Sequence, residues 1–235
     1  MALKTFSSQT KTQRFIIASM QSILLALLFG IILCVSADKT DWKEGWILIV
    51  TYGVCSWISS VLLFIGVPEL MDERKKKHGG VKKRDRTIVL AYQSMFFPIF
   101  ILSGLEERLH PDNSPGYLIL AGIFLIVAGF VLLTWSPLVN KHLETYIRIQ
   151  TERNHTVCRR GPYRFIRHPA YLGLLCYFLG IPVTLSSVWG LIPAIMASLL
   201  VVIRTIVEDR FLKSNLSGYT DYAEQVRFKL VPFIF

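Results

Sequence analysis

Residues 15–35 form a run of 21 amino acids without a single charge. As a helix rising ~1.5 Å per residue, such a run spans the ~30 Å hydrocarbon core of a bilayer. Few folds can hide it otherwise, and it is not alone. Apolar runs return at 46–67, 87–105, 117–135, 171–185 and 188–203. Only 18% of the residues are charged, against the ~25% usual in soluble domains. The expected fold is therefore all-α: a polytopic integral membrane protein with about six transmembrane helices. The first run follows Lys4, Lys11 and Arg14 as a secretory signal would, but it is longer than the roughly 7–15 apolar residues of a signal core. It reads as an uncleaved first helix.

Local chemistry punctuates the runs. Pro68 closes the second, and Pro98 predicts a kink in the third. Gly122 and Gly129 in the fourth allow close helix contact. Residues 113–116 read as a turn. Residues 171–185 and 188–203, joined by Ser186 and Ser187, read as a helical hairpin whose second arm continues past Arg204 to Arg210. Residues 141–153 place Leu143, Ile147 and Ile149 among charges, which predicts a short amphipathic interfacial helix.

The net charge is +10, but its placement argues for membrane topology over nucleic-acid binding. Six spans put both termini on one side, and 23 of the 26 Lys and Arg residues fall there. Only Lys39, Lys43 and Arg108 lie on the other. That asymmetry predicts cytoplasmic termini and a cytoplasmic connection between the fourth and fifth spans. The segment 71–86 alone holds eight of the basic residues, and reads as a topology signal on a solvated loop. Cys34, Cys55, Cys158 and Cys176 form no C-x-x-C pair, and no metal-binding spacing is visible.

Two clusters carry the chemistry. Residues 161–173 read Gly-Pro-Tyr-Arg-Phe-Ile-Arg-His-Pro-Ala-Tyr-Leu-Gly. Arg164, Arg167 and His168 offer donors to an anion; Tyr163 and Tyr171 offer flat faces with polar tips. Composition alone also suits a plain headgroup anchor. The second cluster is Arg204 and Glu208, four apart on one helix face, with Asp209 adjacent. A hairpin brings its ends together, so the two clusters should meet at the cytoplasmic side.

The ordered set Arg148-Ile149-Gln150, Asn154-His155-Thr156-Val157, Gly-Pro-Tyr, Arg-His-Pro-x-Tyr-x-Gly, Arg204-Thr205-Ile206-Val207-Glu208-Asp209, Gly218-Tyr219, Tyr222 and Leu230-Val231-Pro232 resembles the isoprenylcysteine carboxyl methyltransferase family, with its phospholipid methyltransferase relatives. The resemblance runs from about Asn140 to the C-terminus. It implies two parts: four membrane helices over 1–136, then a methyltransferase core over 137–235 with interfacial helix, cofactor loop, hairpin and tail. It implies S-adenosyl-L-methionine as cofactor. Gln150, His155, Thr156, Val157 and Cys158 would line one side of its site; Tyr163, His168, Pro169, Ala170 and Tyr171 would hold it from the other. Glu208 would meet the cofactor's ammonium, and Arg204, as the catalytic residue, would face the methyl acceptor. No metal is implied. The acceptor would be lipophilic and enter from the bilayer, a prenylated cysteine carboxylate being the family's best-known case. Asn154 stands where relatives often have Gly, and Asp209 where Glu is common. A membrane reductase of the sterol type, using NADPH, is a competing expectation, although Leu174 stands where those enzymes carry an acid. A non-enzymatic scaffold or transporter subunit is a third.

Overall fold

The structure, a computed structural model, describes residues 11–74, 83–111, 115–232 and 234. The side chains of Lys11 and Arg14 lie outside that description, as do residues 75–82 of the basic run and the first two residues of the turn expected at 113–116. Among the described residues the regular structure is helical: α1 (Lys11–Ala37), α2 (Lys43–Gly66), α3 (Pro68–Arg74), α4 (Lys83–Ser94), α5 (Phe96–Leu109), α6 (Gly116–Val139), α7 (Pro169–Thr184), α8 (Val188–Asn215) and α9 (Tyr219–Gln225). Five stretches are long and apolar enough to cross a bilayer, with α4 and α5 counted together, and α7 is a sixth, shorter apolar helix. The protein is a multi-pass membrane protein.

The punctuation acts as expected. α2 stops at Gly66, and Pro68 opens α3 at the first helical position, where its missing N–H is no loss. The third span breaks at Met95, between α4 and α5. Pro98 cannot donate to the carbonyl of Ser94, so the helical ladder lapses there. The outward faces carry large apolar side chains, among them Leu24, Ile31, Val54, Phe124 and Leu199. That suits lipid as the solvent.

The interior is built from aromatics and small residues. Phe29 of α1 stacks on Phe100 of α5 at 4.5 Å between ring centroids, and Phe96 meets Phe178 of α7 at 4.6 Å. Tyr52 of α2 lies parallel to Tyr177 at 5.9 Å. α6 and α7 touch backbone to backbone. A Cβ at Gly129 would sit 2.7 Å from the carbonyl oxygen of Gly173, and one at Gly173 would sit 2.8 Å from that of Gly129. The last glycine of the 161–173 cluster is thus a packing residue. In the hairpin turn Ser187 caps α8, its hydroxyl accepting from the Gly190 N–H at 2.9 Å. Glu106 supports that N-terminus by accepting from the Ser187 hydroxyl (2.6 Å) and the Trp189 N–H (2.8 Å).

One expectation fails. Residues 141–150 are not an interfacial helix; the chain is irregular and extended there, with a single 3-10 turn at Thr151–Arg153. Side chains from distant helices take the backbone groups that a helix would pair internally. Arg74 donates to the Leu143 carbonyl (2.9 Å), Asp85 accepts from the Ile147 N–H (2.8 Å), Gln150 donates to the His142 carbonyl (2.7 Å), and Arg204 donates to the Thr145 carbonyl. Three long-range bonds and one within the connection outweigh a local apolar spacing that is only weakly helical.

Candidate functional site

The loop after α6 is held open by specific contacts. Asn154 has φ +50° and ψ +59°, a left-handed conformation that Gly and Asn tolerate best. The substitution noted at this position therefore preserves the backbone. Gly161, at φ +54°, lies against the Trp135 indole, where a Cβ would come within 3.0 Å. The tail fastens the next segment: the N–H groups of Arg167 and His168 donate to the carbonyls of Phe228 (3.0 Å) and Lys229 (2.9 Å). Tyr222 of α9 donates its hydroxyl to the Tyr163 carbonyl at 2.7 Å.

These restraints bring both sequence clusters together. Asp209 is 2% exposed. It pairs with Arg167 Nε (3.1 Å), lies 3.4 Å from His168 Nε2, and accepts from the Tyr219 hydroxyl (3.0 Å). One residue earlier on α8, the Glu208 carboxylate points elsewhere and accepts the Tyr171 hydroxyl. Tyr171 stacks beside His168, ring centroids 5.7 Å apart and nearly parallel. Its other neighbour is the Arg204 guanidinium, 5.4 Å from the ring centre.

A small cavity of about 60 Å³ opens beside this network. His155, Thr156, Val157, Cys158, Tyr163, His168, Ala170, Tyr171 and Glu208 all line it. The buried Tyr163 hydroxyl beside it lies near the Asn140 side chain and makes no hydrogen bond of normal geometry among the described residues. His155 stacks on His142 at 4.6 Å. Burial, then the neighbouring charges of His142, Arg148 and Arg153, lowers the His155 pKa to about 4. It is neutral at physiological pH. Burial pushes the phenols of Tyr163, Tyr219 and Tyr222 up, so they stay protonated donors.

Three expected site residues stand apart from that cavity. Gln150 is 1% exposed, and its amide is spent on the His142 carbonyl and on Arg153 Nη1 (2.8 Å). It holds the loop instead of lining the cavity. Pro169 is the buried first residue of α7 and starts the helix. Arg204 borders a different space, a groove of about 790 Å³ between α4, the 147–152 segment and α8. Ile88, Ile147, Ile149, Val207 and Phe211 give that groove an apolar wall.

The structure adds residues that the sequence left out. Asn140, Leu143, Leu212 and Leu216 complete the cavity wall with Tyr219 and Tyr222. Only the two tyrosines had a signal, their place in the ordered set. Asp85 and Tyr92, which hold Arg204, had none.

The fold and cavity define a polytopic membrane protein with a pocket at one end of its last helical hairpin. Comparison with known proteins gives the kinship. Residues 117–217 match the family described as phospholipid methyltransferase. The chain is 29% identical over 144 residues to protein-S-isoprenylcysteine O-methyltransferase A of Arabidopsis thaliana, over 58% of this chain and 66% of that relative. It is 28% identical over 151 residues to protein-S-isoprenylcysteine O-methyltransferase B of the same plant, over 62% of this chain and 70% of the relative. The aligned stretch thus spans about two thirds of each relative. The chain resembles the isoprenylcysteine methyltransferases and their phospholipid methyltransferase relatives, which supports a membrane methyltransferase.

Proposed function

We propose that this protein is an integral membrane methyltransferase that uses S-adenosyl-L-methionine to methylate a lipophilic acceptor, a carboxylate such as a prenylated cysteine C-terminus. One observation carries the reading. Nine of the eleven residues that the resemblance assigns to the cofactor converge on a single cavity, although they come from three separate segments.

The cavity's chemistry fits the group. Glu208 offers a carboxylate to an α-ammonium. Tyr171 and Tyr163 offer ring faces to an adenine or a sulfonium. The Asp209 and Tyr219 contacts fix the His168 ring at the cavity wall. When bound, the cofactor supplies an electrophilic methyl on a positively charged sulfur. The protein's part is to align donor and acceptor and to exclude water. A C-terminal carboxylate, with a pKa of ~3.3–3.7, is already ionised at neutral pH, so no general base is required. Arg204 faces the groove whose apolar wall suits a lipid chain entering from the bilayer. Its remaining N–H groups would orient the acceptor. The bias of 23 basic residues toward one side supports placing this end in the cytoplasm.

The test is calorimetry on purified protein in nanodiscs. S-adenosylhomocysteine should bind, and His168→Ala and Glu208→Ala should each weaken it at least tenfold, ~1.4 kcal/mol. Unchanged affinity in both variants, or binding of NADPH in its place, would overturn the assignment. Labelled methyl transfer to prenylcysteine analogues, with phospholipid amines in parallel, identifies the acceptor.

A further inference from the structure

We infer that Asp85 is a positioning residue for Arg204, so that the acceptor side of the site is assembled from both halves of the chain. The inference rests on the role proposed for Arg204. Asp85 lies in the first turn of α4, outside the 117–217 family match and inside the basic segment read as a solvated loop. It is nevertheless buried, 6% exposed. Its two oxygens have two tasks. Oδ1 accepts from Arg204 Nε at 3.1 Å, and Oδ2 accepts from the Ile147 N–H at 2.8 Å. One carboxylate therefore holds the guanidinium and the chain segment that walls the groove.

The rest of the guanidinium is held just as firmly. Tyr92, two helical turns beyond Asp85 on the same face of α4, accepts from Nη1 at 2.9 Å. The Thr145 carbonyl accepts from Nη2. A guanidinium carries five N–H groups in a rigid plane, so three are fixed and two remain. Arg204 is itself only 2% exposed, and an unpaired charge that deep is strongly disfavoured. Asp85 thus does two things. It fixes the plane in which the remaining N–H groups lie, and it offsets part of the positive charge that an anionic acceptor would meet. Arg204 then acts as an oriented donor more than as a bare cation.

Asp85→Asn removes the charge and one of the two acceptors, since an amide NH2 cannot accept, so it is measured beside Asp85→Glu, which keeps both acceptors and the charge. The probes are S-adenosylhomocysteine for cofactor binding and N-acetyl-S-farnesylcysteine for turnover. The expected result is cofactor affinity within twofold of the unsubstituted protein, since Asp85 does not touch the cavity. Turnover per cofactor-binding site should fall at least tenfold, and KM for the anionic probe should fall several-fold because the cation is no longer offset. Asp85→Glu, which restores the charge, should return KM toward its original value. If Asp85→Asn fails to fold, Tyr92→Phe, which removes one of the three guanidinium partners, should lower turnover with cofactor affinity intact. Normal kcat and KM in Asp85→Asn or, should that variant not fold, in Tyr92→Phe, would overturn this inference alone. Absence of cofactor binding and methyl transfer in the unsubstituted protein would overturn the functional reading and this inference with it.

Discussion

Glu208 and Asp209 are adjacent acids on one helix, yet the fold gives them opposite work, and that yields a double dissociation. Successive helical residues point about 100° apart. Glu208 faces the cavity and Tyr171, whereas Asp209 faces the protein interior. Asp209→Asn removes the charge partner of Arg167, which is 5% exposed and, among the described residues, otherwise bonds the Ala223 carbonyl at 3.2 Å. Breaking a buried ion pair costs about 3–5 kcal/mol. The Tyr219 bond can survive on the amide, so the lower end of that range is expected. Glu208→Gln keeps an acceptor for the Tyr171 hydroxyl and lies at the rim, so it should barely change stability. It should cost the cofactor a charge-assisted bond, about 1.5–3 kcal/mol, or more than tenfold in affinity.

The assay can use the protein's own thiols. Cys34, Cys55, Cys158 and Cys176 are all part-buried, so a thiol-reactive fluorogen reports their exposure on heating in detergent. Asp209→Asn should melt well below the unsubstituted protein, with residual affinity for S-adenosylhomocysteine in its folded fraction. Glu208→Gln should melt normally and bind poorly. The reasoning is refuted if Asp209→Asn melts normally, or if Glu208→Gln binds normally.

Other perturbations follow from the same geometry. Gly173→Ala drives a methyl against the Gly129 carbonyl, where backbone must move, and should cost about 1–3 kcal/mol in thiol-exposure melting. A Gly116→Ala control, where a Cβ meets nothing within 4 Å, should be close to neutral. His155 has its pKa lowered to about 4 from an ordinary 6.5, so the unfolded chain binds the extra proton first. Its contribution is complete above pH 6.5 and is lost as pH falls toward 4. His155→Gln should flatten that part of the stability–pH curve, and an unchanged curve would count against it. The membrane orientation predicts that Glu224→Cys is labelled by an impermeant maleimide from the cytoplasmic side, and His110→Cys only from the opposite side.

Much of the fold was legible because bilayer constraints act locally. An uncharged run of sufficient length has few alternatives to a spanning helix, and Pro68 and Pro98 act through their own backbone. The meeting of His168 with the end of α8 was legible as well, since it follows from hairpin geometry. What was not legible depends on partners far away in sequence. Leu143, Ile147 and Ile149 suggest a helix only while Asp85, Arg74 and Arg204 are out of view. Gln150 falls within the motif that the resemblance assigns to the cofactor, but only the three-dimensional structure shows its amide spent on the loop. Asp85 was the hardest to see: seven of its neighbours between 74 and 84 are basic, and a lone acid there reads as part of a solvated face.

The position of the site follows from the unequal arms of the hairpin. α7 has 16 residues, about 24 Å at the helical rise, and falls short of a ~30 Å hydrocarbon core. α8 has 28 residues, about 42 Å, and overshoots it. Counted from the shared turn, α7 ends beside roughly the seventeenth residue of α8, which is Arg204. One turn further, after Glu208 has met Tyr171, α8 loses its α7 neighbour. The space left is filled by the 140–168 connection, the tail and α9, and none of these packs as a continuous apolar surface. Polar side chains there are shielded from bulk water by folded chain, yet need not face lipid. The residues of α8 at and just past the end of α7, Glu208 and Leu212 among them, line the cavity. Extending α7 by one helical turn at its N-terminus would consume the His168–Pro169 junction and close this gap. The proline that opens α7 and the extended residues before it therefore keep the gap open.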